Sequence, residues 1–393
     1  MASPAPAGLD PVALAAALIR CPSVTPAEAG TLDLLAQALE GLGFAVHRVP
    51  VQKPGTERVD NLFARLGDTG PHLAFAGHVD VVPPGDSSAW SHDPFAGVIE
   101  NGLLFGRGAA DMKSGVAAFV AAVSAYLASH GRPAHGSVSL VITGDEEGPA
   151  VNGTEPLLRW MDEHGHRPDA CLVGEPTSVE ANGDMMKVGR RGSANGRLVV
   201  QGRQGHTAYP HRADNPAHRI VQMLARILGS PIDAGSEFFE PSNLQVTSID
   251  IGNPAGNVIP AEATARFNIR YNDLQTRERL EAWLHGHCDA IGGSYRLELS
   301  SSGDAFLTPP GPFTKLVAAA AEACFGRRPE ASTSGGTSDA RFVKQYCPVV
   351  ELGLVGRTMH QVNEHVRTED IVSLTACYRT ILERWFATAR NGG

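Results

Sequence analysis

Apolar residues recur at helical spacing from Pro11 to Arg20 (PVALAAALIR) and again from Thr31 to Leu42. Each stretch is expected to bury one face as a helix. Shorter apolar runs then alternate with helical stretches. His72–Val82 reads as a strand, Met112–Ser129 as an Ala/Val-rich helix, and Ser137–Thr143 and Ala170–Gly174 as further strands. Strands that are apolar throughout, with helices between them, form a sheet covered on both faces, which is the α/β class.

Beyond about Met186 the pattern changes. Arg197–Gly202, Leu244–Ile251 and Ala263–Tyr271 alternate in character as half-buried strands do, and Pro216–Leu228 and Thr276–Ala290 are helical. This predicts a small α+β insert: a four-stranded sheet with two helices on one face. After the run TPPGP (308–312) the α/β pattern resumes, with a helix at Phe313–Cys324, a strand at Pro348–Leu354 and a closing helix at Val372–Phe386. The expected division is a catalytic domain in two parts, 1–188 and 305–393, interrupted by an insert at 189–304. A chain of 393 residues exceeds the size at which one core keeps growing, about 250–300 residues, so two domains suit its length.

The formal net charge of −9, with no basic stripe, excludes nucleic acid as an expected partner. No apolar run reaches the roughly 20 residues of a membrane span, and the first ten residues, MASPAPAGLD, lack the basic and apolar regions of a secretory signal. The six cysteines are scattered without a C-x-x-C pair and read as thiols in a reducing compartment, so a cytoplasmic setting is expected.

Five segments place metal-ligand side chains at strand ends or in Gly-rich turns. LAFAGHVDVV carries His78 and Asp80, whose i, i+2 spacing puts both on one strand face; one can be a ligand while the other orients it. LLFGRGAADMKSG carries Asp111. A phosphate loop is excluded there, because Met112 stands where a glycine must precede Lys-Ser. Alone, Asp111 would be a helix N-cap. VITGDEEGP brings Asp145, Glu146 and Glu147 to a strand end, where adjacent carboxylates repel one another unless cations are near. Glu175 in ACLVGEPT repeats the arrangement, and MHQVNEHV offers His360, Asn363, Glu364 and His365. Mixed nitrogen and oxygen ligands suit zinc, with manganese or cobalt as substitutes. In α/β folds, ligands gather at the carboxyl edge of the strands.

These segments, in this order, resemble the di-zinc aminoacylase/carboxypeptidase superfamily, whose members include acetylornithine deacetylases, tripeptidases and desuccinylases. Gly-His-Val-Asp (77–80), Gly-Arg-Gly-Ala-Ala-Asp-Met-Lys (106–113), Asp-Glu-Glu (145–147) and Gly-Glu-Pro-Thr (174–177) carry the resemblance. It implies a di-zinc peptidase-like catalytic domain with a mainly parallel sheet, plus a lid and dimerisation insert. One zinc would be held by His78 and Glu175, the other by Glu147 and His365, with Asp111 bridging both and followed by a cis peptide. Asp80 would hold the His78 ring and Glu146 would be the general base. His206, in QGRQGHTAYPH, would assist the tetrahedral oxyanion from the insert, in a homodimer.

Gly-Arg-Arg-Gly-Ser (189–193), Gly-Asn-Val-Ile-Pro-Ala-Glu (256–262), Phe-Asn-Ile-Arg (267–270), Gly-Gly-Thr-Ser-Asp-Ala-Arg (335–341) and His-Gln-Val-Asn-Glu-His (360–365) are similar to the desuccinylase branch. That branch implies hydrolysis of a succinylated diamino diacid, with Arg190, Arg191, Ser193, Asn257, Arg270, Gly336 and Thr337 as recognition residues. Other N-acyl amino acids, dipeptides and a non-catalytic ligand-binding role are the alternatives.

Overall fold

The computed structural model describes residues 8–390; the first seven residues, part of the segment read as lacking a signal, lie outside them. The described chain forms two compact units. The first comprises 8–188, 308–332 and 338–390, the second 189–307 with 333–337. The short segment 333–337, read above with the catalytic part, therefore belongs to the second unit. Arg190 Nη1 donates to the Gly336 carbonyl there at 3.2 Å.

The first unit is built on an eight-stranded sheet. Its order is Ala45–Val51, Val59–Leu66, Ser137–Thr143, His72–His78, Ala170–Val173, Val349–Glu351, Met185–Lys187, Glu330–Ser332. His72–His78 runs parallel to both its neighbours, and Val349–Glu351 runs parallel to Ala170–Val173. The hairpin Ala45–Val51/Val59–Leu66 adds antiparallel strands at one edge. The central strands are buried almost throughout, as two-faced coverage requires.

The helix Lys113–His130 packs against Pro11–Ile19 and the closing helix Thr368–Arg390. Phe75 of the central strand stacks on Phe119 at 4.2 Å and meets Tyr378 edge-on at 5.8 Å, locking strand to both helices. Local signals set the helix ends. The Asp10 carboxylate accepts from the Val12 and Ala13 amides ahead of Pro11, and Gly326 in the left-handed conformation ends Pro312–Phe325.

The second unit is an antiparallel sheet in the order Asn243–Asp250, Glu262–Tyr271, Gly192–Gln201, Ser294–Gly303. Glu262–Tyr271 buries every second residue. Its inward set, Ala263, Ala265, Phe267, Ile269 and Tyr271, shares one core with Ile220, Met223, Leu224 and Ile227 of the helix Pro216–Leu228 and with Leu280 and Leu284 of Arg277–Asp289. Both helices therefore cover the same face. Among the described residues no helix is long and apolar enough to cross a membrane.

Candidate metal centre

Parallel pairing brings three strand ends level. His78 ends the strand His72–His78, Glu146 and Glu147 follow Ser137–Thr143, and Glu175 follows Ala170–Val173. Gly115 lets the helix Lys113–His130 close on this edge: a Cβ there would lie 2.6 Å from the Gly174 carbonyl. Asp111, just before that helix, is thereby set among them.

The Asp111 carboxylate faces two ways. Its Oδ1 lies 3.2 Å from His78 Nε2, which is 3.7 Å from a Glu175 oxygen. Its Oδ2 lies 3.4 Å from His360 Nε2, which is 2.9 Å from Glu147 Oε1. Two groups of ligand atoms, His78–Asp111–Glu175 and Asp111–Glu147–His360, thus share one carboxylate, and each group lies within 4.8 Å. The Asp111–Met112 peptide is cis.

His365 does not join either group, which corrects the expectation drawn from the sequence. Its Nδ1 lies 2.7 Å from the Asn363 carbonyl, and its ring lies against Phe105 at 5.2 Å in the short strand His365–Arg367. His360 takes the position instead. The chain reverses between the two histidines through left-handed residues at His360 and Asn363, with φ of 62° and 60°.

Asp80 is fully buried and does more than face His78. The His78 ring bonds the Asp80 backbone carbonyl at 2.9 Å, with the carboxylate 3.6 Å away. The carboxylate accepts from the Thr25 hydroxyl at 2.7 Å and from the Glu146 and Glu147 amides at 3.2 and 3.0 Å. It holds the acidic turn as well as the histidine. Asp145, the first residue of that turn, accepts from the Ala150, Val151 and Asn152 amides and is a turn-forming residue.

The sequence reading passed over a buried ion pair beneath the site. Glu364 Oε2 accepts from Arg107 Nη1 at 2.6 Å, while Oε1 accepts from the Ala110 and Asp111 amides at 2.8 and 3.2 Å. Arg107 lies over the Trp90 ring at 5.2 Å. Both partners stand in motif segments, and a charged pair flanking two ligand loops was the available signal. Buried Lys113 donates to the Leu18 and Cys21 carbonyls at 3.0 and 2.8 Å, tying the metal-site helix to the first helix.

The electrostatics call for cations. Burial, then the charges of Asp111 and Glu146, push Glu175 well above the usual carboxylate range; burial and Asp339 do the same to Glu146. Hydrogen bonds that the His360 ring donates to the Asp111 and Glu147 carboxylates raise its pKa to about 10. Four carboxylates and two imidazoles packed this closely share too few protons to be comfortable at neutral pH, and divalent ions would relieve them. The donor set fits a pair of such ions.

The remaining predicted residues lie in the second unit. Arg190 and Ser193 are buried, Ser193 pairs across the sheet with Arg270, and Asn268 Nδ2 donates to the Ser193 hydroxyl at 3.2 Å. Burial and then the charge of Arg191 lower the Arg270 pKa. Asn257 and Gly336 are exposed, and Thr337 is half-buried. His206 is exposed, and its Nδ1 accepts from the Ala208 amide at 3.1 Å.

A search of family models matches residues 74–384 to "Peptidase family M20/M25/M40". The chain belongs to this family. Among full-length relatives, one named succinyl-diaminopimelate desuccinylase in Rhodospirillum centenum is 63% identical over 97% of this chain and 98% of that protein. One of the same name in Rhodopseudomonas palustris (strain BisB18) is 54% identical over 96% of this chain and 98% of that protein. Among solved structures, the M20 metallo-carboxypeptidase Sso-CP2 from Sulfolobus solfataricus superposes with a TM-score of 0.76 at 17% identity, covering 96% of this chain and all of that one. PepT from Bacillus cereus gives 0.77 at 19% identity, over 95% of this chain and 97% of its own. The M20 fold, an α/β core with a central sheet, is thereby shown, and the chain is a metal-dependent hydrolase.

Proposed function

We propose that this M20 enzyme hydrolyses N-succinyl-LL-2,6-diaminopimelate to succinate and LL-2,6-diaminopimelate, using two zinc ions. The observation that carries the reading is the Asp111 carboxylate turned with one oxygen toward His78 and Glu175 and the other toward Glu147 and His360. One ion would be held by His78, Asp111 and Glu175, the second by Asp111, Glu147 and His360. Cobalt or manganese, with similar ligand preferences, would substitute. Such a pair of ions, when bound, lowers the pKa of water and polarises the scissile carbonyl.

The protein's own groups do the rest. Glu146, neighbour of Glu147 but in neither ligand group, takes the proton from the attacking water and returns it to the departing amine nitrogen. Burial makes it a stronger base than an ordinary glutamate. His206 donates to the oxyanion of the tetrahedral intermediate, and the second unit pairs two copies of the chain. Arg190, Arg191 and Arg270, with Ser193, Asn257, Gly336 and Thr337, supply cationic and neutral donors for the succinyl and amino-acid carboxylates. The full-length relatives of the same name support this substrate.

The decisive test is hydrolysis by metal-free protein reloaded with zinc, comparing N-succinyl-LL-2,6-diaminopimelate with N-acetylornithine and a dipeptide. The succinyl substrate should be favoured in kcat/KM by at least about 100-fold, and up to the roughly 10⁴–10⁵-fold that unpaired buried polar groups can impose on an analogue. Faster hydrolysis of either comparator overturns the substrate. In Glu146→Gln, kcat should fall by about 10²–10⁴-fold while two ions still bind.

A further inference from the structure

Beside the proposed metal ligands, the first unit has a cavity of about 420 Å³. Glu147, a ligand of the second ion in the reading above, lines it. So does Glu57, from the loop between the strands Ala45–Val51 and Val59–Leu66. Pro26, Pro83 and Pro149 supply apolar lining.

Hydrogen bonds fix this loop to the turn that carries the metal-site glutamates. Buried Asn152 accepts from the Lys53 amide through Oδ1 at 3.0 Å, and its Nδ2 donates to the Thr56 hydroxyl and the Glu57 carbonyl, both at 2.7 Å. The Asn152 amide in turn donates to Asp145 Oδ2 at 2.9 Å, in the turn 145–147. Within the loop, Thr56 Oγ1 donates to the Lys53 carbonyl at 2.7 Å. Glu57 is thereby anchored, through its backbone, to the turn of Glu147.

The carboxylates lining the cavity differ in their free capacity. Asp145 accepts from three backbone amides, and Glu147 Oε1 lies 2.9 Å from His360 Nε2. Glu57 is exposed, and among the described residues its carboxylate has no hydrogen bond or ion pair. The nearby cations are taken: Lys53 pairs with Glu155 at 3.3 Å and Arg58 with Asp60 at 2.8 Å. Apolar walls favour methylene groups, and the surrounding carboxylates disfavour a further anion but attract a cation. The recognition residues proposed above are all cationic or neutral. They leave the positive group of the substrate, the ammonium at the far end of the diaminopimelate half, without an anionic partner.

We propose that this cavity takes the methylene arm of the diaminopimelate half, and that the Glu57 carboxylate accepts hydrogen bonds from its distal ammonium. The assignment rests on the succinyl-diaminopimelate reading and adds a determinant for the departing amine. Glu57 selects a diamino acid over a monoamino acid of the same length, and no proton moves through it.

The test compares N-succinyl-LL-2,6-diaminopimelate with N-succinyl-L-2-aminopimelate, which keeps the chain and carboxylates but has hydrogen in place of the distal amine. Zinc-loaded wild type should prefer the first by about tenfold or more in kcat/KM, mostly through KM, as a hydrogen bond to a charged group allows. Glu57→Gln should bring the two substrates to within about twofold of each other while metal analysis still finds two ions. Glu57→Lys should invert the preference by repelling the ammonium. No preference in wild type, a preference that Glu57→Gln leaves unchanged, or a variant that slows both substrates alike overturns the proposal while the substrate reading stands. Turnover of neither substrate by wild type overturns that reading and the proposal with it. Apart from turnover, calorimetry should find LL-2,6-diaminopimelate bound about tenfold more weakly by Glu57→Gln than by wild type; equal binding also overturns the proposal.

Discussion

At the scale of the residue, both oxygens of Glu364 serve loops that carry proposed ligands, one through Arg107 and one through the amides of Ala110 and Asp111. Glu364→Gln leaves the Arg107 guanidinium buried without its counter-charge, and breaking such a pair costs about 3–5 kcal/mol. Thermal unfolding of the metal-free variant should show that loss, and calorimetry should show weakened binding of both ions. His360→Ala should reduce the zinc stoichiometry from two ions to one, whereas His365→Ala should keep both, as measured by metal analysis after dialysis. A third residue sets a pH dependence. His72 is buried, its Nε2 2.7 Å from the Ser139 hydroxyl, and burial followed by the charge of Arg65 lowers it to about 4. It stays neutral in the fold while the unfolded chain takes a proton near pH 6.5, so its contribution is intact above about 6.5 and lost as pH falls toward 4. The shift corresponds to about 3 kcal/mol. Wild type should therefore lose more stability between pH 7 and pH 5 than His72→Gln, followed by urea unfolding. The ligand motifs were readable in sequence because His78, Glu147 and Glu175 follow apolar runs and Asp111 sits in a Gly-rich turn. The choice between His360 and His365 was not, because two left-handed residues decide which imidazole turns inward.

At the scale of the element, legibility followed burial. Ser137–Thr143 is buried at every position and was read with its true bounds. Ala45–Val51 is mostly exposed or half-buried on an edge, with His47, Arg48 and Pro50 among its residues, and gave no strand signal. The fourth strand of the second unit, Ser294–Gly303, was expected in number but not located, although Tyr295, Leu297 and Leu299 alternate with polar residues ahead of its serine-rich end. The helix Lys113–His130 shows how an element places the site. Gly115→Ala would drive a methyl group into the Gly174 carbonyl, next to Glu175. Overpacking of this kind costs about 1–3 kcal/mol. The variant should melt lower and bind the first ion more weakly, whereas the same change at exposed Gly286, where a Cβ meets nothing within 4 Å, should leave zinc affinity unaltered.

At the scale of the whole molecule, the balance of charge ties stability to metal. Glu175, Glu146 and His360 all have raised pKa values in the metal-free fold. The stability these groups gain by holding protons is full below their unfolded values and is lost as pH rises through the folded ones. Ions displace those protons. The gap in melting temperature between zinc-loaded and chelator-treated protein should therefore widen from pH 6 to pH 8.5, as differential scanning fluorimetry would record; a constant gap would remove the proton linkage.

The order of strands in the eight-stranded sheet also has a consequence for biosynthesis. Val349–Glu351 inserts between Ala170–Val173 and Met185–Lys187, although some 160–180 residues separate it from them along the chain. A nascent polypeptide can complete the contiguous 189–307 segment of the second unit while still on the ribosome, but the older strand Ala170–Val173 must wait, one edge open, for a partner translated near the end. Stalled chains released before residue 349 should be captured by chaperones through that waiting edge.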